Sequence, residues 1–382
     1  MWRLTEEQRL IQDSAQKLLQ SEYDFEQRKQ RLSADAPYSD SLWQQFAELG
    51  WLGIAFAERD GGYGGDVAEL TILMHAFGQK LVVEPYLATV ILGGEIVARG
   101  AQSAVRSELL ARLMQGQLQL AVALAEPGSR YDLNRVTTRA VRQTDGTLII
   151  DGAKAVVLNA LSADYLVIPA RTAGADDAEG GITLFLVPST APGVQVSSYR
   201  LNDGQHGGDV QLRGVHMTTG GILGEIDGGF ELLDWAVDRA TVAACAEAVG
   251  AMDQVMEMTI EYLRTREQFG SPIGTNQALK FRMVEMHYAL EESRSMVSGA
   301  IAAMESESEP AARRAAVSAM KVKAGQSARL IGQEGVQLHG AIGMTEDYAV
   351  GHYYKRLESL RLLFGDPDHH LARYGRWRRA RN

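Results

Sequence analysis

Few side chains in this 382-residue sequence belong to the types that carry covalent or metal chemistry. Cys245 is the single cysteine, which excludes an internal disulfide and a cysteine-based metal site. It lies among apolar residues between Thr241 and Val249, so the thiol reads as a buried structural group, not a nucleophile. His339 and the pair His369-His370 invite a metal reading. No carboxylate–histidine spacing typical of zinc or iron accompanies them, and adjacent histidines on a helix point different ways, so no metal site is expected. The charge balance, 38 Lys+Arg against 48 Asp+Glu, gives a net charge of −10 and makes a nucleic-acid surface an unlikely default. No apolar run approaches the roughly 20 residues of a membrane helix. With Glu6 and Glu7 soon after Met1, the amino terminus lacks a basic-then-apolar signal pattern. A soluble, acidic, cytoplasmic protein is expected.

The elements that must position any site follow from periodicity. Leu10, Ile11, Ala15, Leu18 and Leu19 sit at helical spacing, and Thr5 followed by Gln8 reads as a capping box. Ser41 to Leu49 reads as a helix ending at Gly50, before the glycine-rich loop Asp60–Gly65. From Val67 to Gly116 the pattern is helical, interrupted around Pro85 and at Gly93-Gly94. Near Leu118 the texture changes. Thr147–Asp151, Ala155–Leu158, Tyr165–Ile168 and Ile182–Val187 are short and rich in β-branched residues, so they read as strands; Gly174–Gly181 reads as a hairpin loop. After Gly228-Gly229 the chain turns helical. Stripes from Cys245 to Leu263, Leu279 to Ile301 and Val317 to Ile331 predict long antiparallel bundle helices, with their methionines as core filler.

Short motifs sit on these elements. Ala125-Glu-Pro-Gly128 is followed by Asp132. Arg266-Glu-Gln-Phe-Gly270 continues into Pro272-Ile273 and Gln277-Ala-Leu279, and Gln337-Leu-His-Gly340 is followed by Gly343 and Lys355-Arg356. In this order they resemble the acyl-CoA dehydrogenase family over essentially the whole chain. The resemblance implies a mainly α fold with a central β-domain. Its parts would be an N-terminal helical domain over 1–117, a β-sandwich or barrel domain over 118–227 and a C-terminal four-helix bundle over 228–382. It implies an FAD-dependent oxidoreductase that converts an acyl-CoA thioester to the 2-enoyl-CoA, with electron-transferring flavoprotein as the expected acceptor. Such chemistry needs a carboxylate to remove the α-proton, donors for the thioester oxygen, and a flavin to accept hydride.

By the same resemblance Arg266, Phe269 and Gln277 contact FAD extending from a neighbouring subunit, and Gln337 and Gly340 line its adenosine-diphosphate tail. Arginine suits that role because its planar fork holds diphosphate oxygens; the plainer reading is that Arg266 interacts with the end of its helix. Ala341 replaces a family glycine. The carboxy-terminal Arg373, Arg376, Arg378, Arg379 and Arg381 read as a solvated basic end, or as a contact to a CoA phosphate or an acidic partner.

The flavin-ring side departs from the family. Ala125 stands for a threonine, Tyr131 after Arg130 for the serine of Gly-Ser-Asp, and Val156 and Leu158 for a tryptophan and a threonine or serine. Gly365 falls where many members carry the catalytic glutamate, with Asp366 one place on. An alternative family position, a Glu before an Arg, is here Asp238-Arg239; the plainer reading of Asp238 is a helix-surface ion pair with a nearby Arg or Lys. Three readings follow: a self-sufficient enzyme with Asp238 as base; one subunit of a heteromeric acyl-CoA dehydrogenase, resembling its small subunit, beside a second dehydrogenase-like chain; or a flavin-free scaffold. The mixture of a kept tail side and a lost ring side favours the second. No motif reports the acyl group, and such pairs act on bulky acyl-CoAs such as steroid side chains or on dicarboxylates.

Overall fold

The computed structural model describes residues 4–33, 36–306 and 309–380. The chain opens with helices α1 (Glu6–Glu22), α2 (Phe25–Ser33), α3 (Asp40–Glu48), α4 (Val67–Lys80), α5 (Glu95–Gly100) and α6 (Ser103–Met114). The capping box is present: Gln8 N donates to Thr5 Oγ1 and Thr5 N to Gln8 Oε1, both at 3.1 Å. The helical pattern does pause around Pro85, but not at Gly93-Gly94. Leu87–Gly94 is π-helical and runs directly into α5. A Cβ on Gly93 would lie 2.7 Å from Leu120 Cβ, and one on Gly94 2.6 Å from the Phe56 ring. Those glycines let a widened helix pack closely; they do not end it.

Strands β1 (Leu120–Val122), β2 (Arg139–Arg142), β3 (Leu148–Leu158), β4 (Tyr165–Arg171), β5 (Ile182–Pro188), β6 (Val194–Arg200), β7 (His206–Met217) and β8 (Ile222–Leu223) form one sheet. Its order is β6-β7-β3-β2-β4-β5-β8, with β1 parallel on β4. Ile150, Leu166, Ile168, Phe185, Val187 and Val215 are fully buried in the cluster that the sheet encloses. Two runs expected as separate strands, Thr147–Asp151 and Ala155–Leu158, are one strand. The register of β3 against β7 shifts between Ile150 and Gly152 and again between Lys154 and Val157, so bulges take the place of a loop. The expected hairpin loop joins β4 to β5. Buried Arg171 fastens it, donating to the carbonyls of Ala178, Gly180, Asn134 and Asp176 at 2.7 to 3.0 Å.

The remaining elements are α7 (Gly229–Thr265), a short hairpin β9 (Glu267–Gln268) and β10 (Ser271–Pro272), then α8 (Gln277–Glu305), α9 (Pro310–His339), α10 (Ala349–Leu362) and α11 (Pro367–Ala380). α8, α10 and α11 pack on α9. Met252, Met256, Met286 and Met320 are buried, as filler should be, whereas Ile260 on the first stripe is 37 % exposed. Arg376, Arg378 and Arg379 are exposed on α11, and Arg381 lies outside the described residues. Among the described residues no helix is long and apolar enough to cross a membrane.

The chain forms two compact units. One comprises Met1–Gln30, Val67–Val82 and Thr241–Asn382; the other comprises Arg31–Asp66 and Val83–Ala240.

Candidate functional site

In the unit that holds the bundle helices, α7 ends at Thr265 and Arg266 N still donates to Tyr262 O at 2.8 Å. Arg266 O then accepts from Ile273 N at 2.8 Å, which closes the β9–β10 hairpin. Its turn residues, Phe269 at φ +52° and Gly270 at φ +81°, both take the left-handed conformation of a type I′ turn. A bulky aromatic residue is strained there, and Phe269 is fully exposed. Within its own unit this ring gains nothing from packing. Gln277 is exposed at the first position of α8, and Gln337 is exposed in the last turn of α9. Gly340 follows at φ +66° with open space where a Cβ would stand. Ala341 has no left-handed backbone, so the replaced glycine costs no strain.

His339 belongs to this turn. Its ring lies 4.6 Å from that of Tyr262 and 5.1 Å from that of Tyr348, and its Nδ1–H donates to Gly335 O at 2.7 Å. Burial lowers its pKa and keeps it neutral. Asp366 is the cap of α11: its Oδ1 accepts from His369 N at 2.8 Å. An aspartate directly before Pro367 is a helix-start signal that the sequence displays and that the catalytic reading of Asp366 passed over.

In the other unit Asp238 is 1 % exposed, so it is no helix-surface residue. Its neighbour Arg239 is joined to Glu95, at the start of α5, which also accepts from Arg99 and, at 2.7 Å, from Trp235 Nε1. Burial pushes the Glu95 carboxyl up, but the Arg239 and Arg99 charges outweigh it and hold the pKa low. Sequence reasoning missed Glu95; a lone carboxylate after the apolar run 87–94 was the available signal.

The same unit contains the residues at the ring-side positions. Glu126 is buried and accepts from Thr137 N at 2.7 Å, Thr138 N at 3.1 Å and Lys154 Nζ at 2.7 Å. Ala125 O accepts from Ala155 N at 2.9 Å, fastening that turn to β3. At the β3 bulge Val156 has φ +53°, and its N–H donates to Asp209 Oδ1 at 3.1 Å, which also accepts from Tyr199 OH at 2.8 Å. Leu158 borders a cavity of about 30 Å³ with Val83, Glu84, Leu87 and His206, room for water. A β-branched residue at positive φ is an outlier. Because Val156 is 54 % exposed, Val156→Gly removes strain without opening a cavity. We expect it to stabilise the chain by about 1 kcal/mol in denaturant unfolding.

Comparison with known proteins decides what this arrangement belongs to. The model for the acyl-CoA dehydrogenase N-terminal domain matches residues 5–117, that for the middle domain 121–215 and that for the C-terminal domain 227–377. The chain belongs to the acyl-CoA dehydrogenase family. Its helical, sheet and helical order is the family's fold, and the family's members are FAD-dependent oxidoreductases that dehydrogenate acyl-CoA. A probable acyl-CoA dehydrogenase of Bacillus subtilis, YngJ, is 25% identical over 352 residues, 91% of each chain. A solved variant of the Tcur3481-Tcur3483 steroid acyl-CoA dehydrogenase is 26% identical over 98% of each chain, with a TM-score of 0.88. The ChsE4-ChsE5 complex of Mycobacterium tuberculosis shares the fold at 23% identity and a TM-score of 0.88, over 98% of this chain and 97% of the other.

FAD supplies the two-electron acceptor that no side chain provides. The family's cofactor fits the two faces unequally. At the positions that the resemblance assigns to the tail, Arg266, Phe269, Gln277 and Gln337 are exposed and the backbone at Gly340 is open, the kind of donors and space that a diphosphate needs. On the ring side Ala125, Val156 and Leu158 carry no polar side-chain atom, and the N–H groups of Ala155 and Val156 are already given to Ala125 O and Asp209. The side chains at those three positions therefore offer no hydrogen bond with which to orient a flavin ring.

Proposed function

We propose that this chain is one subunit of a two-chain acyl-CoA dehydrogenase. It would reach with Arg266, Phe269, Gln277, Gln337 and Gly340 toward the tail of an FAD whose ring is held by a related partner subunit. The observation that carries this reading is Phe269. An aromatic ring, fully exposed on a left-handed turn, is held out at a cost in backbone strain that nothing in its own unit returns. That cost is consistent with a binding target on another chain. The apolar side chains of Ala125, Val156 and Leu158 at ring-side positions agree with it. The paired name of the steroid acyl-CoA dehydrogenase Tcur3481-Tcur3483 and the ChsE4-ChsE5 complex give precedent for such assemblies. Steroid side-chain acyl-CoA thioesters are the substrates to try first, with electron-transferring flavoprotein as acceptor.

The test is expression of the chain alone and together with a candidate partner chain. Flavin absorbance and acyl-CoA-dependent bleaching should appear only in the pair. In the pair, Arg266→Ala should weaken FAD retention about ten- to hundredfold, the loss expected for charge-assisted hydrogen bonds. Yellow, bleachable protein from the lone chain would overturn the proposal in favour of a self-sufficient enzyme. Colourless protein with every partner tried would leave a scaffold.

A further inference from the structure

The loop between α10 and α11 is closed in a way that the substitution at its centre does not by itself explain. Phe364 and Gly365 both have positive φ, +59° and +115°, and Gly365 is buried. A Cβ on Gly365 would lie 2.7 Å from His370 Nε2, 2.8 Å from His369 Cδ2 and 2.9 Å from His370 Cδ2. The His370 ring is poorly placed to give way. It is 2 % exposed, its Nε2–H donates to Phe364 O at 3.0 Å, and its Nδ1 faces Ser318 Oγ at 3.4 Å. On the same side buried Lys321 donates to Leu360 O, which fixes the end of α10. Burial, together with the Lys321 and Arg373 charges, keeps the imidazole neutral, with a pKa pushed down to about 2. Ordinary pH changes therefore do not loosen the ring, and Asp366 is committed to capping α11.

We propose that His370 is a plug: it fills the space that a side chain at position 365 would need, so this subunit's α10–α11 loop cannot present a carboxylate there. A loop that had merely lost a glutamate would accept one back; this loop would not. For the reaction, the base that removes the α-proton must then come from another element or another chain. That consequence rests on the two-chain reading; the closure of the loop does not.

The test is a double-mutant cycle on the full-length chain, copurified with its partner where one is required. Gly365→Glu and Gly365→Ala should each lower Tm by about 5 °C or more. In the His370→Ala background the same substitutions should lose at least half of that penalty, the remainder being the contact with His369 Cδ2 and the strain of a side chain at positive φ. His370→Ser, equally unable to fill the space but polar, replaces His370→Ala if the latter does not fold. Diethyl pyrocarbonate labelling read by peptide mass spectrometry gives a second measure. His370 should be unreactive in the parent chain and become reactive in Gly365→Glu, where the clash at 365 forces the loop off the ring. Unchanged Tm in Gly365→Glu, a penalty equal in both backgrounds, or a protected His370 in Gly365→Glu would each overturn the plug. Failure of the two-chain reading would show separately, as bleaching by the lone chain.

Discussion

Lys154→Met is expected to destabilise the fold by about 3–5 kcal/mol, because it leaves a carboxylate buried without its counter-ion. Lys154 and Glu126 are both buried and meet at 2.7 Å, 28 residues apart in sequence, across the turn that joins β1 to the strands of the sheet. The remaining donors to Glu126, from Thr137 and Thr138, hydrogen-bond a charge but do not neutralise it. Burial alone would push the Glu126 carboxyl up. The Lys154 charge, with hydrogen bonds from Lys154 and Thr137, outweighs this and holds it at about 2, against an ordinary 4.5. A carboxyl depressed in the folded state binds protons more weakly than in the unfolded chain. Its stabilisation is therefore complete above about pH 4.5 and is lost as pH falls toward 2. In Lys154→Met the ammonium is gone and burial dominates, so that acid-side loss should flatten or reverse. Chemical denaturation of both proteins between pH 3 and 7 measures the two effects together. Equal stabilities, or parallel pH profiles, would mean that the pair contributes nothing.

The second large effect is expected at the crossing of α4 and α7. A Cβ on Gly250 would lie 1.9 Å from His75 O, and one on Gly78 would lie 1.9 Å from Glu247 O. Each glycine thus faces the other helix's backbone, and a carbonyl in a helix cannot rotate aside as a side chain can. Gly250→Ala must push the helices apart, breaking the His75 Nε2 to Asp253 Oδ2 contact of 2.7 Å beside the crossing. A loss of about 3 kcal/mol or more is expected, at the upper end of overpacking costs. Gly78→Ala should cost a similar amount, and the double variant much less than the sum, since one separation relieves both clashes. Thermal unfolding of the three variants checks this; an additive pair would show that the two glycines act independently.

How much of this was legible in advance differs by residue. The capping box at Thr5 and the end of α3 near Gly50 rest on local hydrogen bonds and backbone preferences, which short stretches of sequence encode. The long bundle helices were legible for a related reason, since a 3.6-residue stripe has one energetically sensible arrangement. Gly93-Gly94 misled because glycine in a helix reads as a break. Its actual cause, the closeness of Leu120 and Phe56, involves residues distant in sequence. The β3 bulge was likewise read as a gap between two strands. Asp238 suggested a helix-surface residue but is buried, and its neighbour Arg239 is joined to Glu95, 144 residues away. No spacing rule connects such partners.

The sequence by itself determined the family and the helical, sheet and bundle order, because these depend on residue type and local period. It also displayed the loss of hydroxyl groups at Ala125 and Leu158, of an indole at Val156 and of a carboxylate at Gly365. Only the tertiary structure decided what those losses amount to. Asp209 takes the Val156 amide, and His370 occupies the space beside Gly365. Phe269 is held in the open on a strained turn. The physical reason is that free space, burial and a spent hydrogen bond are properties of neighbours brought together by packing, and packing joins residues that the chain keeps far apart.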